Sequence, residues 1–308
     1  MKKTLRACVA AAAILVAPAV MATDIIVVSH GQANDPFWSV VKNGVDKAAK
    51  DSGVNVSYRA PETFDMVAMS QLIDAAIVQE PDGIVVSIPD GDALGPSITK
   101  AVEAGIPVIS MNSGSNVAAK LGALLHVGQG EFDAGKAAGA KLAKMGGDTG
   151  ICVNHEVGNV ALDQRCEGFA AGFGGNVTVV PTGNDPAEVE AKIKAALESN
   201  EDIDTIMALG ASLVGEPAVA AVEAVGLSGS VNIATFDLSP GFLKAVSEGK
   251  AAFAVDQQQF LQGYLPVIFL ALNAEYGLIP GGNVPSGPNL ITAEKASQVV
   301  ELSAKGIR

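Results

Sequence analysis

Polar side chains recur in this sequence where predicted buried strands end. In the first half of the chain they are His30, Asn34, Asp35, Ser87, Asp90, Asn112 and Ser113. In the second half the corresponding positions hold Asn154, Glu156, Arg165, Gly210, Asp237 and Gln257. Each of these residues alone is typical of a cap or a turn. Because open α/β sheets bind ligands at the carboxyl ends of their strands, the recurrence in both halves favours one binding site built from two halves.

The sequence lacks the motifs of nucleotide binding and nucleophilic catalysis. No G-x-G-x-x-G follows the first strand, and neither a G-K-[ST] loop nor a G-x-S-x-G turn is present. We therefore expect no enzyme and no cofactor. We also expect no metal, because none of the three histidines lies at zinc-ligand spacing with the cysteines. One enzymatic alternative stays open, because Asp35 and Asp237 could act as the paired carboxylates of a glycoside hydrolase.

Histidines follow three of the predicted strands, at His30, His126 and His155. For each of them, ligand contact and a structural hydrogen bond are equally compatible with the sequence. His30 is the favoured ligand contact because it lies nearest to the turn that carries Trp38.

Short β-branched runs alternate with helical patterns along the chain, and the runs are apolar throughout, as in parallel strands covered on both faces. The predicted strands are Ile25–Ser29, Val54–Tyr58, Ile84–Ile88, Pro107–Met111, Leu124–Val127, Ile151–Asn154, Val177–Val180, Thr205–Leu209, Asn232–Phe236 and Ala252–Val255. Two runs of five strands predict an α/β protein with two Rossmann-like, doubly wound parallel-sheet lobes and exclude a single eight-stranded barrel.

The first predicted helix has clear boundary signals. Asp35 can cap its free amides, Pro36 suits its first turn, and Gly53 ends it. Its predicted buried stripe is Phe37, Val41, Val45 and Ala48. Trp38 lies off this stripe, so we expect it to be exposed and available to stack on a ligand.

The amino terminus has the features of a secretory signal peptide over residues 1–22. Three basic residues precede the apolar run Val9–Val16, and small residues around Ala22 suit cleavage. Three of the 20 basic residues and none of the 33 acidic ones lie in this segment, which leaves a mature net charge of −16. Because of the signal peptide, the expected location of the mature chain is the periplasm. Because of its negative net charge, nucleic acid is a poor partner.

The mature chain keeps two cysteines, Cys152 and Cys166, because Cys8 leaves with the signal. In an oxidising compartment a disulfide between them is the favoured interpretation, and two buried thiols are the alternative.

Six segments together resemble the periplasmic sugar-binding proteins of the ribose-binding type, which are components of ABC importers. The segments are VVSHGQANDPFW, PDGIVVSIPD, AGIPVISMNS, DQRCEGF, IATFDLSPG and KAAFAVDQQ. The resemblance covers the mature chain and implies two lobes joined by a three-segment hinge. It places residues 23–128 and 259–287 in the amino-terminal lobe and residues 129–258 and 288–308 in the carboxy-terminal lobe.

The resemblance also implies a set of ligand contacts. Phe37 and Trp38 match an aromatic pair that packs on sugar C–H faces, and Gly210 stands where the family has an asparagine. The full expected ligand set is His30, Asn34, Asp35, Phe37, Trp38, Asp90, Asn112, Ser113, Arg165, Gly210, Asp237 and Gln257.

Asn112 and Ser113 stand where ribose binders have an Asp-Arg pair, so a charge-assisted clamp is missing and ribose is disfavoured. The expected ligand is a neutral monosaccharide or a sugar alcohol, and the expected partner is an ABC permease that receives it from a monomeric binding protein. A sensory protein that presents its ligand to a membrane receptor would use the same site, so this alternative stays open.

Overall fold

A computed structural model of the chain describes residues 22–31 and 35–308. Except for Ala22, the expected signal peptide lies outside the described residues, as does the expected ligand contact Asn34. No helix in the described part of the chain has the length and apolar character that spanning a membrane requires.

The first sheet is built mainly from the first 128 residues, and its strand order is β11-β5-β4-β3-β1-β2. Its strands are β1 (Asp24–Val28), β2 (Asn55–Arg59), β3 (Gly83–Ser87), β4 (Val108–Asn112), β5 (His126–Gly128) and β11 (Val284–Pro285). The helices that cover it are α1 (Pro36–Ser52), α2 (Met66–Ile77), α3 (Gly91–Glu103) and α9 (Gln259–Tyr276).

The second sheet has the order β12-β10-β9-β8-β6-β7. Its strands are β6 (Thr149–Asn154), β7 (Asn176–Pro181), β8 (Thr205–Ala208), β9 (Asn232–Phe236), β10 (Phe253–Asp256) and β12 (Asn289–Ile291). Its helices are α4 (Glu131–Lys144), α5 (Val160–Phe173), α6 (Pro186–Ser199), α7 (Glu216–Ala224), α8 (Pro240–Ser247) and α10 (Ala293–Ala304). Among the described strand pairs, only β10 and β12 run antiparallel.

The central strands are buried on both faces, which explains their uninterrupted apolar sequences. Strands β3 and β4 are buried at every residue, as are β8 and β10. Each sheet therefore separates two apolar clusters, one under each layer of helices.

Helices α4 and α5 pack with their backbones unusually close, because glycines face each other across the contact. A Cβ atom at Gly135 would lie 2.2 Å from the carbonyl oxygen of Arg165, and one at Gly168 would lie 2.0 Å from that of Phe132. Only residues without side chains allow this approach. It brings the first turn of α4 beside Arg165 in the middle of α5.

The chain passes between the two sheets three times, after β5, after β10 and after β11. The three segments lie together: the backbone N–H of Ser286 donates to the carbonyl of Gly128 at 2.8 Å, and Gln258 Nε2 donates to the carbonyl of Ser286 at 2.6 Å.

These features confirm the predicted fold class of two doubly wound α/β lobes. The ten predicted strands are present, each within two residues of its expected ends. Strands β11 and β12 were not predicted, because strands of two and three residues give no periodic pattern.

The structure pairs Cys152 on β6 with Cys166 on α5 in a disulfide. Both side chains are buried in the cluster between that strand and helix. Of the two interpretations left open by the sequence, the structure therefore has the disulfide.

We predict that replacing both cysteines by serine lowers the free energy of unfolding by about 3 kcal/mol, because the bond closes a short loop in the unfolded chain. Urea unfolding of the variant and of the unmodified protein, both without the signal, measures this difference. As a control, thiol titration of the denatured, unreduced protein should find almost no free thiol, and two free thiols would contradict the bond.

Candidate functional site

A cavity that opens to solvent lies between the two lobes. Its walls come from the carboxyl ends of strands in both sheets, as expected for α/β folds of this kind. Most of its polar lining residues belong to the expected ligand set.

The wall from the first lobe is formed by the turn after β1 and the start of α1. His30 is held by Ser87, whose hydroxyl lies 2.8 Å from Nδ1 of the imidazole. Asp35 caps α1 by accepting a hydrogen bond from the backbone N–H of Phe37 at 2.8 Å. Burial raises the pKa of Asp35 and lowers that of His30 to about 3, so His30 is neutral.

Trp38 lines this wall but is buried, with 3% of its surface exposed, so the prediction that it is exposed was wrong. Its indole packs edge-on against the rings of His30, at 4.7 Å between centroids, and Phe37, at 5.2 Å. The turn also covers it, since a Cβ atom at Gly31 would lie only 1.7 Å from the indole. Phe37, which was placed on the buried stripe, is only half-buried.

Side-chain amides occupy the floor of the cavity near the hinge. Nδ2 of Asn112 donates to Oε1 of Gln262 at 3.2 Å and lies 3.4 Å from Oε1 of Gln257. Gln262 in turn donates to Ser286 Oγ at 3.0 Å. This network joins the end of β4 to two of the segments that cross between the lobes.

The wall from the second lobe is dominated by Arg165. Its Nε donates to Oε2 of Glu131 at 2.6 Å, and its Nη2 donates to Oε1 of the same carboxylate at 3.1 Å. The guanidinium also lies 4.5 Å from the centre of the Phe236 ring. These contacts fix a fully buried cation with N–H groups left for the cavity.

Asp237 follows β9 with a positive φ of 69°, a conformation that aspartate tolerates better than most residues. Its Oδ1 accepts a hydrogen bond from Nε2 of Gln257. Burial raises the pKa of Asp237 to about 7, although the charge of Arg165 opposes the shift.

Glu156 brings the two lobes into contact at the cavity. Its carboxylate accepts from Nδ2 of Asn159 at 2.8 Å and lies 3.7 Å from Nε2 of His30 in the other lobe. Beside it, the backbone N–H of Val160 donates to the carbonyl of Pro89 at 3.0 Å. Burial raises the pKa of Glu156 to about 7. The lobes are thus closed upon each other.

The structure brings most of the expected ligand set together. The members that line the cavity are His30, Asp35, Phe37, Trp38, Asn112, Arg165, Gly210, Asp237 and Gln257.

Two members of the set do not line it. Asp90 instead caps α3, accepting from the backbone N–H groups of Asp92 and Ala93. Ser113 is buried behind Asn112 and donates to its Oδ1 at 2.8 Å.

The cavity also contains residues that sequence reasoning did not include in the ligand set. They are Pro36, His155, Glu156, Asn159, Leu162, Leu209, Ala211, Ser212, Leu213 and Leu238. His155 and Glu156 had the signal of following a strand. The others lie beyond the strand ends, on helices and turns. Whether their side chains point towards the cavity depends on tertiary packing.

The electrostatic balance of the cavity restricts what it can hold. Glu131 neutralises Arg165 from behind, while Asp35, Glu156 and Asp237 line the cavity without a second buried cation among its described residues. Such a site suits hydroxyl groups, which donate to carboxylates and accept from a guanidinium. Among residues 22–31 and 35–308, no group of three or more His, Cys, Asp and Glu side chains could hold a metal ion.

Comparison with known proteins gives a family match over most of the chain. A family model described as "Periplasmic binding protein domain" matches residues 25–275. A ribose import binding protein of Escherichia coli is 28% identical over 247 residues, covering 77% of this chain and 80% of that protein. A xylose/arabinose-binding protein of Sulfolobus acidocaldarius is 26% identical over 285 residues, covering 87% and 70%.

Among solved structures, the chain is similar to a carbohydrate transporter from Acidothermus cellulolyticus, determined in complex with myo-inositol. The two have a TM-score of 0.87 and are 33% identical, with 94% of this chain and 100% of that chain covered.

We predict that Asp237→Asn weakens the pH dependence of stability in the ligand-free protein. The unfolded carboxyl has its ordinary pKa of 3.8, whereas in the fold the pKa is about 7. The stability contributed by the neutral acid is therefore complete below about pH 4 and is lost as pH rises through about 7.

The free energy of unfolding of Asp237→Asn should accordingly fall less between about pH 5 and about pH 8 than that of the unmodified protein. Urea unfolding at both pH values measures it, with the exposed Asp202→Asn as the matched control. If the free energy of unfolding of Asp237→Asn and that of the unmodified protein depended on pH in the same way, the raised pKa of the buried Asp237 would be contradicted.

Proposed function

The chain belongs to the periplasmic binding protein family, and we propose that it captures a neutral monosaccharide or sugar alcohol between its lobes and delivers it to an ABC transporter permease. The family and the relatives it matches are binding proteins for transport, so the chain is not an enzyme.

The names of the matched proteins support a polyhydroxy ligand. The relatives are named for ribose and for xylose and arabinose, and the similar solved structure holds myo-inositol. All of these ligands are uncharged and present several hydroxyl groups on a compact carbon frame.

The observation that carries the proposal is the cavity between the lobes, in which one guanidinium and several carboxyl and amide groups face each other across the two lobes. We expect Asp35, Asn112, Arg165, Asp237 and Gln257 to hydrogen-bond hydroxyl groups. An acidic sugar would place its charge beside three carboxyl groups, which is unfavourable. Phe37 and Trp38 supply aromatic surface for the C–H faces of the ligand.

Capture follows from the division of the site between the lobes. A ligand that contacts both walls is bound most tightly when the lobes are closed, so it shifts the population of the protein towards closure. The contact of His30 with Glu156 and the hydrogen bond from Val160 to Pro89 then become part of the closed form. The closed form is the species that we propose docks on the permease.

We keep the lobe boundaries as a proposal, with residues 23–128 and 259–287 in one lobe and residues 129–258 and 288–308 in the other. The three crossings between the sheets support these limits, as does the packing of α9 on α1. We further propose that the mature protein is a periplasmic monomer that leaves its signal peptide at about residue 22.

We predict that neutral sugars and sugar alcohols raise the thermal stability of the mature protein, because they bind only the native state. At about 1,000 times the dissociation constant, the stabilisation should be about 4 kcal/mol. A thermal-shift screen of pentoses, hexoses, inositols and linear polyols measures it, with the corresponding sugar acids as matched controls. Stabilisation by sugar acids alone would contradict a neutral ligand.

The delivery step has a separate readout. Deleting the gene for this chain should abolish cellular uptake of the ligand found in the screen, and the unmodified gene should restore it. Unchanged uptake together with tight binding in vitro would contradict import and favour the sensory alternative.

We predict that Arg165→Lys lowers affinity for that ligand by at least about tenfold. A lysine ammonium has three donors on one atom and lacks the planar fork of a guanidinium, so it cannot keep the paired contact with Glu131 and also point two N–H groups into the cavity. Isothermal titration calorimetry measures the change, and urea unfolding checks the fold. Arg59→Lys, outside the cavity, is the matched control; equal affinities for the two variants would remove Arg165 from the contact set.

A further inference from the structure

Gly210 follows β8 at the edge of the cavity, and its backbone does not require glycine. Its φ is −162° and its ψ is 135°, an extended conformation that any residue adopts. The reason for a glycine must therefore lie in the space around it.

That space is filled by His155. A Cβ atom at Gly210 would lie 3.0 Å from Cε1 and 3.3 Å from Nε2 of the His155 imidazole, closer than ordinary van der Waals contact. The two residues are neighbours because His155 follows β6, Gly210 follows β8, and these strands pair in parallel. A Cβ atom at position 210 would therefore force the imidazole out of its present position by a few tenths of an ångström, and a longer side chain would compete with it for the same space.

The imidazole has unused hydrogen-bonding capacity. His155 lines the cavity, and its Nδ1 is buried without a hydrogen-bond partner within the described ranges 22–31 and 35–308. Burial, with a further contribution from the charge of Arg165, lowers the pKa of His155 to about 4. The ring is therefore neutral, with one nitrogen that donates and one that accepts. Buried polar atoms are normally satisfied, which points to a partner supplied by a ligand.

We infer that His155 is a specificity-determining residue, whose imidazole takes the place of a side chain at position 210 and hydrogen-bonds a hydroxyl group of the bound polyol. This inference rests on the proposed function of the cavity. It assigns the pair formed by His155 and Gly210 to the recognition of one hydroxyl position.

The first test separates hydrogen bonding from packing at position 155. Isothermal titration calorimetry with myo-inositol, D-ribose and D-xylose identifies the probe that the unmodified protein binds most tightly. For that probe, His155→Leu should lower affinity about tenfold, because it keeps bulk but removes the polar atoms. His155→Gln, which can still hydrogen-bond, should stay within about threefold. The exposed Val157→Ala, in the same loop and outside the cavity, is the control.

The second test is a double-mutant cycle. Gly210→Ala should lower affinity about tenfold in the unmodified protein, because its methyl group displaces the imidazole. In a protein that already carries His155→Ala, Gly210→Ala should change affinity less than about twofold, because the imidazole that its methyl group would contact is absent. Urea unfolding without ligand shows whether each variant is folded. If Gly210→Ala does not fold, the variants at position 155 test the proposal without it.

The outcomes are distinct for the two proposals. Equal affinities of His155→Leu, His155→Gln and the unmodified protein would overturn the role of His155 and leave sugar capture intact. If Gly210→Ala and His155→Ala lowered affinity by independent factors that multiply, the claim that the imidazole takes the place of a side chain at position 210 would be overturned. If the unmodified protein bound neither these three probes nor any pentose, hexose, inositol or linear polyol of the thermal-shift screen, the proposed function and this inference would both fail.

Discussion

Arg165 can occupy the wall of the cleft because Glu131 stands directly behind it. Removing one partner of a buried ion pair costs about 3–5 kcal/mol, since an uncompensated charge is left in a medium of low polarity. The glycine-rich contact between α4 and α5 places the two residues within hydrogen-bonding distance. Because its charge is balanced on the far side, the guanidinium offers donors to the cavity. Burial raises the pKa of Asp237 and that of Glu156, although the charge of Arg165 opposes both shifts.

In the proposed capture, ligand binding and lobe closure use the same part of the molecule. The amide network of Asn112, Gln257 and Gln262 extends to Ser286, so it connects the floor of the cavity to the segments on which the lobes turn. A ligand that hydrogen-bonds Asn112 or Gln257 therefore acts on the hinge directly.

Much of the fold could be predicted, because parallel strands covered on both faces have uninterrupted apolar sequences. The family match confirms the resemblance found in the six sequence segments. Most of the expected ligand set lines the cavity for the same reason: strand ends can be located from sequence. Trp38 was misplaced because helical periodicity shows which face meets the sheet, whereas the preceding turn folds back over the helix start. Asn159 and Ser212 were missed because the orientation of their side chains towards the cavity depends on how the second lobe packs against the first.

The two walls of the cleft are encoded in separate stretches of the chain. Phe37 and Asn112 belong to the first sheet and its helices, whereas Arg165 and Asp237 belong to the second, and each wall packs on its own core. Substitutions or recombination in one stretch can therefore reshape one wall of the cleft while the hydrophobic core behind the other wall stays unchanged. A protein divided in this way can change the two walls of its cleft in separate steps during evolution.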